Sequence, residues 1–160
     1  MKFKYDNSSK NRFSFPVSLT PDLDDSGYVV TFRDLPEAIT QGDSIEVALQ
    51  EAADCLEEAM PSASFAIAAR IDDRLDIPEP SDIIENEYLV PVPMQTALKA
   101  AVTLAMSESK MNQVQLANAL KVNEKEVRRI LDPRHGTKIA TLERTLEVLG
   151  KKAVLSVWSH

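Results

Sequence analysis

The sequence is poor in the residues that build disulfide and metal sites: it has one cysteine and two histidines in 160 residues, with only 4 glycines. Cys55 alone cannot close an internal disulfide, which agrees with a reducing compartment, and with two histidines it leaves no Cys/His set for zinc. No run approaches the roughly 20 apolar residues of a membrane-spanning helix. The start, Met1-Lys2-Phe3-Lys4-Tyr5-Asp6, lacks the apolar stretch of a signal peptide. A cytoplasmic protein with no membrane partner, no metal and no cofactor is expected. What is present is ordinary for a globular chain, 44% hydrophobic and 27% charged, which excludes wholesale disorder. The length allows one large domain or two small ones.

The formal charge of −7, taken whole, argues against nucleic acid, because phosphates repel an acidic surface. The charge is unevenly spread. Met1 to Pro93 holds 7 Lys+Arg against 19 Asp+Glu, a balance of −12, whereas Met94 to His160 holds 11 against 6, a balance of +5. Eight of the nine prolines and eight of the nine aromatics also precede Met94, so composition changes where charge does. Two modules with different partners are implied.

In the acidic module Phe13, Phe15, Val17 and Leu19 alternate with Ser14, Pro16 and Ser18, the period of a half-buried strand. Pro16 lacks a backbone donor, which points to an edge strand. A turn at Asp24-Asp25-Ser26-Gly27 leads into a second strand, Tyr28 to Phe32, and Ala38 to Gln41 suits a third. A helix follows, with Asp43 or Ser44 as its N-cap and Glu46 placed to complete a capping box with Asp43. Ile45, Ala48, Leu49, Ala52, Ala53, Leu56 and Met60 form its apolar stripe; Glu46, Glu51, Asp54, Glu57 and Glu58 form an acidic face, and Pro61 stops it. Phe65 to Ile71 is apolar enough for a further strand. Glu87 to Val92, after a polar, proline-punctuated stretch, is either one more strand or an extended linker.

Gly27-Tyr28-Val29-Val30-Thr31-Phe32, then Asp34-Leu35-Pro36, Thr40-Gln41-Gly42-Asp43-Ser44, the acidic helix and Ile77-Pro78-Glu79-Pro80-Ser81 resemble, in order and spacing, the N-terminal domain of HicB antitoxins. The family pattern has a small residue and a cysteine after Asp-Leu-Pro; here Glu37-Ala38 stand there. The resemblance implies a small α/β domain with a partial RNase H-like fold that binds and blocks a HicA-like toxin, a small basic RNA-cleaving protein. Such a toxin suits a carboxylate-rich partner; the plainer reading is an acidic face kept for solubility. Asp22, Asp24, Asp25, Tyr28 and Asp34 are the candidate toxin contacts.

Asp22-Leu23-Asp24-Asp25-Ser26-Gly27 opens like a calcium loop, but Arg33 stands where the bidentate glutamate belongs. A nuclease is equally unsupported: two-metal cleavage needs carboxylates converging from strands, and these strands carry almost none. Cys55, beside an apolar stripe with no Cys/His companion, reads as a structural thiol. No catalytic residues and no enzyme are expected.

The basic module reads as helices with short joints. Leu98, Ala101, Val102 and Ala105 mark the first, ending near Ser107 to Ser109; Asn112 caps a second carrying Val114, Leu116, Ala117 and Leu120. Asn123 caps a third, Glu124 to Leu131, with Val127, Ile130 and Leu131 inward, closed by Asp132-Pro133. Thr141 caps a fourth, with Leu142, Leu146 and Leu149, ended by Gly150.

Gln113, Leu116-Ala117, Val122, Val127 and Ile130, and the closing Thr141-Leu142-Glu143 with Leu149-Gly150, resemble the Cro/cI-like helix-turn-helix. The turn position usually held by glycine is Lys121, which must accept a positive φ or a different turn. On this reading Asn123, Lys125, Arg128 and Arg129 are candidates for base edges and flanking phosphates, with Arg128 or Arg129 for guanine, while Gln113 and Lys138 suit phosphates. The plainer reading is a solvated helix face with pairs such as Glu124 with Arg128. At the end, Ala153 to Trp158 is strand-like. Either Val154, Leu155, Val157 and Trp158 pair with a second copy in a homodimer or higher homo-oligomer, or they pack on the module's own first helix.

The expectation is thus an α+β chain: residues 1–80 a HicB-like toxin-binding domain, 81–93 a linker or extended segment, 94–160 an all-α helix-turn-helix domain for DNA binding and dimerisation. The expected function is an antitoxin that neutralises a HicA-like toxin and represses its own operon by binding double-stranded operator DNA. The rival is a stand-alone transcriptional regulator with an acidic sensing or oligomerisation domain.

Overall fold

A computed structural model of the chain describes residues 11–57 and 67–157. They fall into two compact units: the residues before 67 join Pro78–Pro93 in one, and Ile67–Ile77 joins the residues from Met94 onward in the other.

The first unit is a four-stranded antiparallel sheet with one described helix. Its strands are β1 (Ser14–Pro21), β2 (Tyr28–Phe32), β3 (Ile39–Gly42) and β4 (Glu87–Pro91), in the order β3-β2-β1-β4. The period-2 pattern puts Phe15 and Val17 on one face, where Phe15 lies opposite Val90 and Val17 opposite Phe32 across the ladders. All four are buried, and each phenylalanine withdrawn from water stabilises the unit by about 1.5–3 kcal/mol. Helix α1 (Ile45–Glu57) packs on the sheet through Ala48, Ala52 and Leu56.

Ser44, one of the two expected caps, is the N-cap of α1: its Oγ accepts the Val47 N–H at 3.2 Å, and Val47 at N3 has no side-chain acceptor to complete a capping box. Ile45 is exposed rather than on the buried stripe. Glu58, Met60, Pro61 and Phe65 lie outside the described residues. Two glycines meet where β3 turns into α1. A Cβ on Gly42 would lie 2.4 Å from the Ala48 nitrogen, and Gly27 holds φ +133° against the Gly42 carbonyl, so neither position admits a side chain.

Two expectations are corrected and one open choice is decided. β1 is central, between β2 and β4. Its pairing with β2 starts only at Val17, so Pro16 faces a neighbour on one side alone, and a central strand accommodates the missing donor there. The stretch Glu87–Pro91, open between one more strand and an extended linker, is a strand of the sheet. Ile67–Asp72, expected as a strand, is a short helix, α2. Ile67, Ala68 and Ile71 are its buried residues, a helical spacing in an alanine-rich stretch, and this helix belongs to the second unit.

The second unit is helical. To α2 it adds α3 (Met94–Ser109), α4 (Gln113–Leu120), α5 (Glu124–Leu131) and α6 (Ile139–Val148). Val102, Ala105, Leu116, Ala117, Leu120, Val127, Ile130, Leu142, Leu146 and Leu149 form one core. The caps of α4 and α5 are Asn112 and Asn123, as expected, the first in a full capping box with Gln115. Val114 is half exposed and outside the core. Helix α6 begins at Ile139, ahead of Thr141, whose carbonyl accepts the Thr145 hydroxyl inside the helix. The residue at its N-cap is Lys138, with no side-chain cap. Lys121 ends α4 at φ 58°, ψ 43°, the left-handed conformation the missing glycine demanded, at about 1 kcal/mol. The Val122 N–H closes the turn on the Ala117 carbonyl at 3.0 Å.

Candidate functional site

In the sheet unit the expected toxin contacts separate into two groups. Asp22 is the turn-maker: its Oδ1 accepts the N–H groups of Asp24 at 3.0 Å and Asp25 at 3.3 Å, and its own N–H bonds the Gly27 carbonyl. That turn presents Asp24, Asp25 and, at the tip, Leu23, which is 96% exposed. Asp22, Asp25 and Tyr28 share with Gln41 and Asp43 a shallow concavity of about 220 Å³, so three carboxylates rim one surface.

Asp34 is not part of it. It lies past the far end of β2, and its carboxylate holds Ser81, accepting the backbone N–H at 2.8 Å and the hydroxyl. Two separated pieces of the recognised pattern, Asp34-Leu35-Pro36 and Ile77 to Ser81, are thereby tied together. Next to it, Arg33 grips Glu87 of β4 through both carboxylate oxygens, at 3.1 and 2.9 Å, and donates to the Asp82 carbonyl at 2.7 Å. Nothing local in the sequence signals a pair 54 residues apart. On α1, Glu46, Glu51 and Glu57 are exposed and Asp54 is half-buried.

In the helical unit Lys125, Arg128 and Arg129 are exposed on α5, on the side away from buried Val127 and Ile130. Arg129 approaches Glu126 at 3.6 Å, whereas the anticipated pairing of Glu124 with Arg128 is not formed, and Arg128 has no ion pair among the described residues. Asn123 gives its Oδ1 to the Glu126 N–H at 2.9 Å, so of its side chain the amide nitrogen is what remains for a ligand. Gln113 opens α4 half-buried, and Lys138 is exposed ahead of α6.

Two basic residues that composition counts toward nucleic acid are instead structural. Lys99 of α3 is 1% exposed, and its ammonium donates to the carbonyls of Arg129, Ile130 and Asp132 at 3.2, 3.1 and 2.6 Å. These are carbonyls at the C-terminal end of α5, which a helix leaves unpaired. Burial pushes the Lys99 pKa down, opposed by the nearby Asp132 charge. Arg144 of α6 donates to the Leu120 carbonyl at the end of α4, at 3.0 Å. Gln95 of α3 accepts the Thr137 N–H at 2.8 Å and so fixes the joint before α6. A charged residue at an inward position of α3 is the one sequence signal that pointed to Lys99.

The tail is extended. Ala153 packs against the core and Lys151 pairs with Glu108, after which Val154, Leu155 and Val157 are 60%, 67% and 84% exposed. Among the described residues they pair with no strand. Trp158 lies outside the described residues. No helix among the described residues is long and apolar enough to cross a membrane.

Comparison with known proteins places this arrangement. Residues 14–101, which hold the whole sheet, α2 and the start of α3, match the family model described as a HicB-like antitoxin of bacterial toxin-antitoxin systems. Antitoxin HicB 1 of Photorhabdus laumondii is 38% identical over 89% of this chain and 86% of its own length. Antitoxin HicB of Escherichia coli K12 is 32% identical over 88% of this chain and 96% of its own. Similarity of that extent runs through both units, and the chain belongs to the HicB-like antitoxin family.

Proposed function

We propose that the chain neutralises a HicA-like, basic, RNA-cleaving toxin through its sheet unit and represses its own operon through its helical unit, in the cytoplasm and without catalysis of its own. The sheet with α1 is the partial RNase H-like module. Its toxin-facing surface is the Asp22–Tyr28 turn, where exposed carboxylates steer a cationic partner and Leu23 supplies an apolar anchor. Asp34 acts there indirectly, by holding Ser81.

For DNA, α4 and α5 are the two arms of a helix-turn-helix, with α5 in the major groove. The observation that carries this reading is the left-handed Lys121 turn joining two capped helices, the second presenting Lys125, Arg128 and Arg129 outward. Arg128, which lacks a partner on its own helix, is the better guanine reader of the two arginines. Gln113 and Lys138 contact phosphates. The exposed tail joins two copies, through Val154, Leu155, Val157 and Trp158, so that two recognition helices address a pseudo-palindromic operator.

The test is co-expression of the full chain with the small basic protein encoded beside it, together with retardation of the promoter fragment. Rescue of growth, co-purification and retardation are expected. A non-toxic neighbour, or one that does not co-purify, overturns the antitoxin reading; absence of retardation overturns the repressor reading.

A further inference from the structure

Within the helical unit an open groove of about 990 Å³ is lined by Gln113 and Arg128 together with Asp72, Arg74 and Arg134. Gln113 and Arg128 already belong to the proposed DNA surface. Arg74 does not: it lies in the turn after α2, at φ 55°, exposed and with no ion pair among the described residues. Arg134, in the joint between α5 and α6, is held by Asp72 at 3.4 Å and Asp132 at 3.2 Å. Both contacts are solvent-exposed, and exposed pairs of this kind are weak enough for another anion to displace.

We propose that the DNA interface does not end at α4 and α5 but crosses this groove onto the Ile67–Ile77 segment, where Arg74 and Arg134 hold phosphates of the duplex and Asp72 competes with phosphate for Arg134. The inference rests on the helix-turn-helix reading and deepens it. The occupant is a phosphodiester backbone because the groove is continuous with Gln113 and Arg128 and offers three guanidinium groups, two of them with no ion pair among the described residues. The carboxylates on the same rim, Asp72, Asp76 and Asp132, make the groove nearly neutral, so its affinity for DNA is set by how readily Arg134 is released. The segment that carries Asp72 and Arg74 is joined at both ends of the chain to the sheet unit.

The experiment measures binding of the full-length protein to its promoter and to unrelated duplex between about 50 and 200 mM salt. Arg74→Gln is expected to weaken both complexes about fivefold and to lower the slope of log affinity against log salt by about 1, and Arg74→Lys to restore both. Arg134→Gln behaves alike, and Asp72→Asn tightens binding about threefold. Thermal melts report that each variant is folded; Arg74, which makes no ion pair among the described residues, is the decisive position. Unchanged affinity and slope in Arg74→Gln and Arg134→Gln, with binding still lost in Arg128→Ala, overturn this inference and leave the helix-turn-helix standing. A wild-type chain that binds no duplex overturns both.

Discussion

The ammonium of Lys99, on α3, donates to the main-chain carbonyl of Asp132 at 2.6 Å, just beyond the last residue of α5. Two further carbonyls, of Arg129 and Ile130, complete its donors. A cation at a helix C-terminus satisfies unpaired carbonyls and meets the negative end of the helix dipole, so a buried charge that would otherwise be costly becomes the anchor of the proposed recognition helix.

Lys99→Met keeps the bulk and removes the donors. The expected loss is about 2–3 kcal/mol of unfolding free energy, because buried carbonyls lose their partners, read from urea denaturation. Operator affinity falls further than toxin affinity. A variant as stable as the parent would show that the capping contributes nothing net.

Acid should act through Asp132. Its folded pKa is lowered, chiefly by the Arg134 backbone N–H at 2.9 Å on its Oδ1, with help from the Arg134 guanidinium and the Lys99 charge and against the opposing effect of burial. A depressed carboxylate pKa contributes stability above the unfolded value and loses it as pH falls through the folded one. Asp132→Asn should therefore be less stable than the parent at neutral pH, and the gap should close below the folded pKa. Melting temperatures of both proteins across an acid series check this.

The two arginines of α5 should not be equivalent. Arg128→Ala is expected to cost about 1–3 kcal/mol of operator binding and to relax base preference at one position per half-site. Arg129→Ala, which also frees Glu126, should cost less. Toxin co-purification stays intact in both, and its loss would indicate a misfolded variant or a shared surface.

Asp34→Asn and Ser81→Ala should each destabilise the chain by about 1–2 kcal/mol, and the double variant by little more than either alone, because one contact is being removed twice. Toxin affinity should follow stability. A drop in affinity with no change in stability would instead make Asp34 a direct contact.

Leu155→Asp with Val157→Asp should shift the protein toward monomer in sedimentation and weaken operator binding while each unit stays folded. An unchanged sedimentation coefficient would locate the dimer contact elsewhere.

Local chemistry carried most of the elements into view. Alternation at Phe15 and Val17, the asparagine caps of α4 and α5, and the left-handed strain at Lys121 are properties of short windows, and each is where it was expected. What escaped depends on partners distant in sequence. Glu87–Pro91, readable as a strand or as an extended linker, is a strand because β1 lies beside it, and Ile67–Asp72 is a helix whose apolar side is buried within the helical unit. In a run as short as Phe65 to Ile71, strand and helix periods fit almost equally well. The same limit applies to sites. Exposed charge was legible as a balance of signs, but which charges remain free was not: Asp34, Lys99 and Arg144 are taken up by Ser81 and by the ends of α5 and α4.

The excursion of Ile67–Ile77 bears on how such a protein is dissected and how it evolves. The chain passes from one unit to the other after residue 66, again after Ile77 and once more after Pro93. A single cut at Pro93 therefore does not separate the halves. It strips the helical unit of α2 and leaves the sheet fragment carrying a helix whose apolar side has lost its cover. Exchanging one DNA-binding module for another is correspondingly a two-site graft, and hybrids built by simple tail replacement should be poorly soluble unless α2 travels with the helices it packs against.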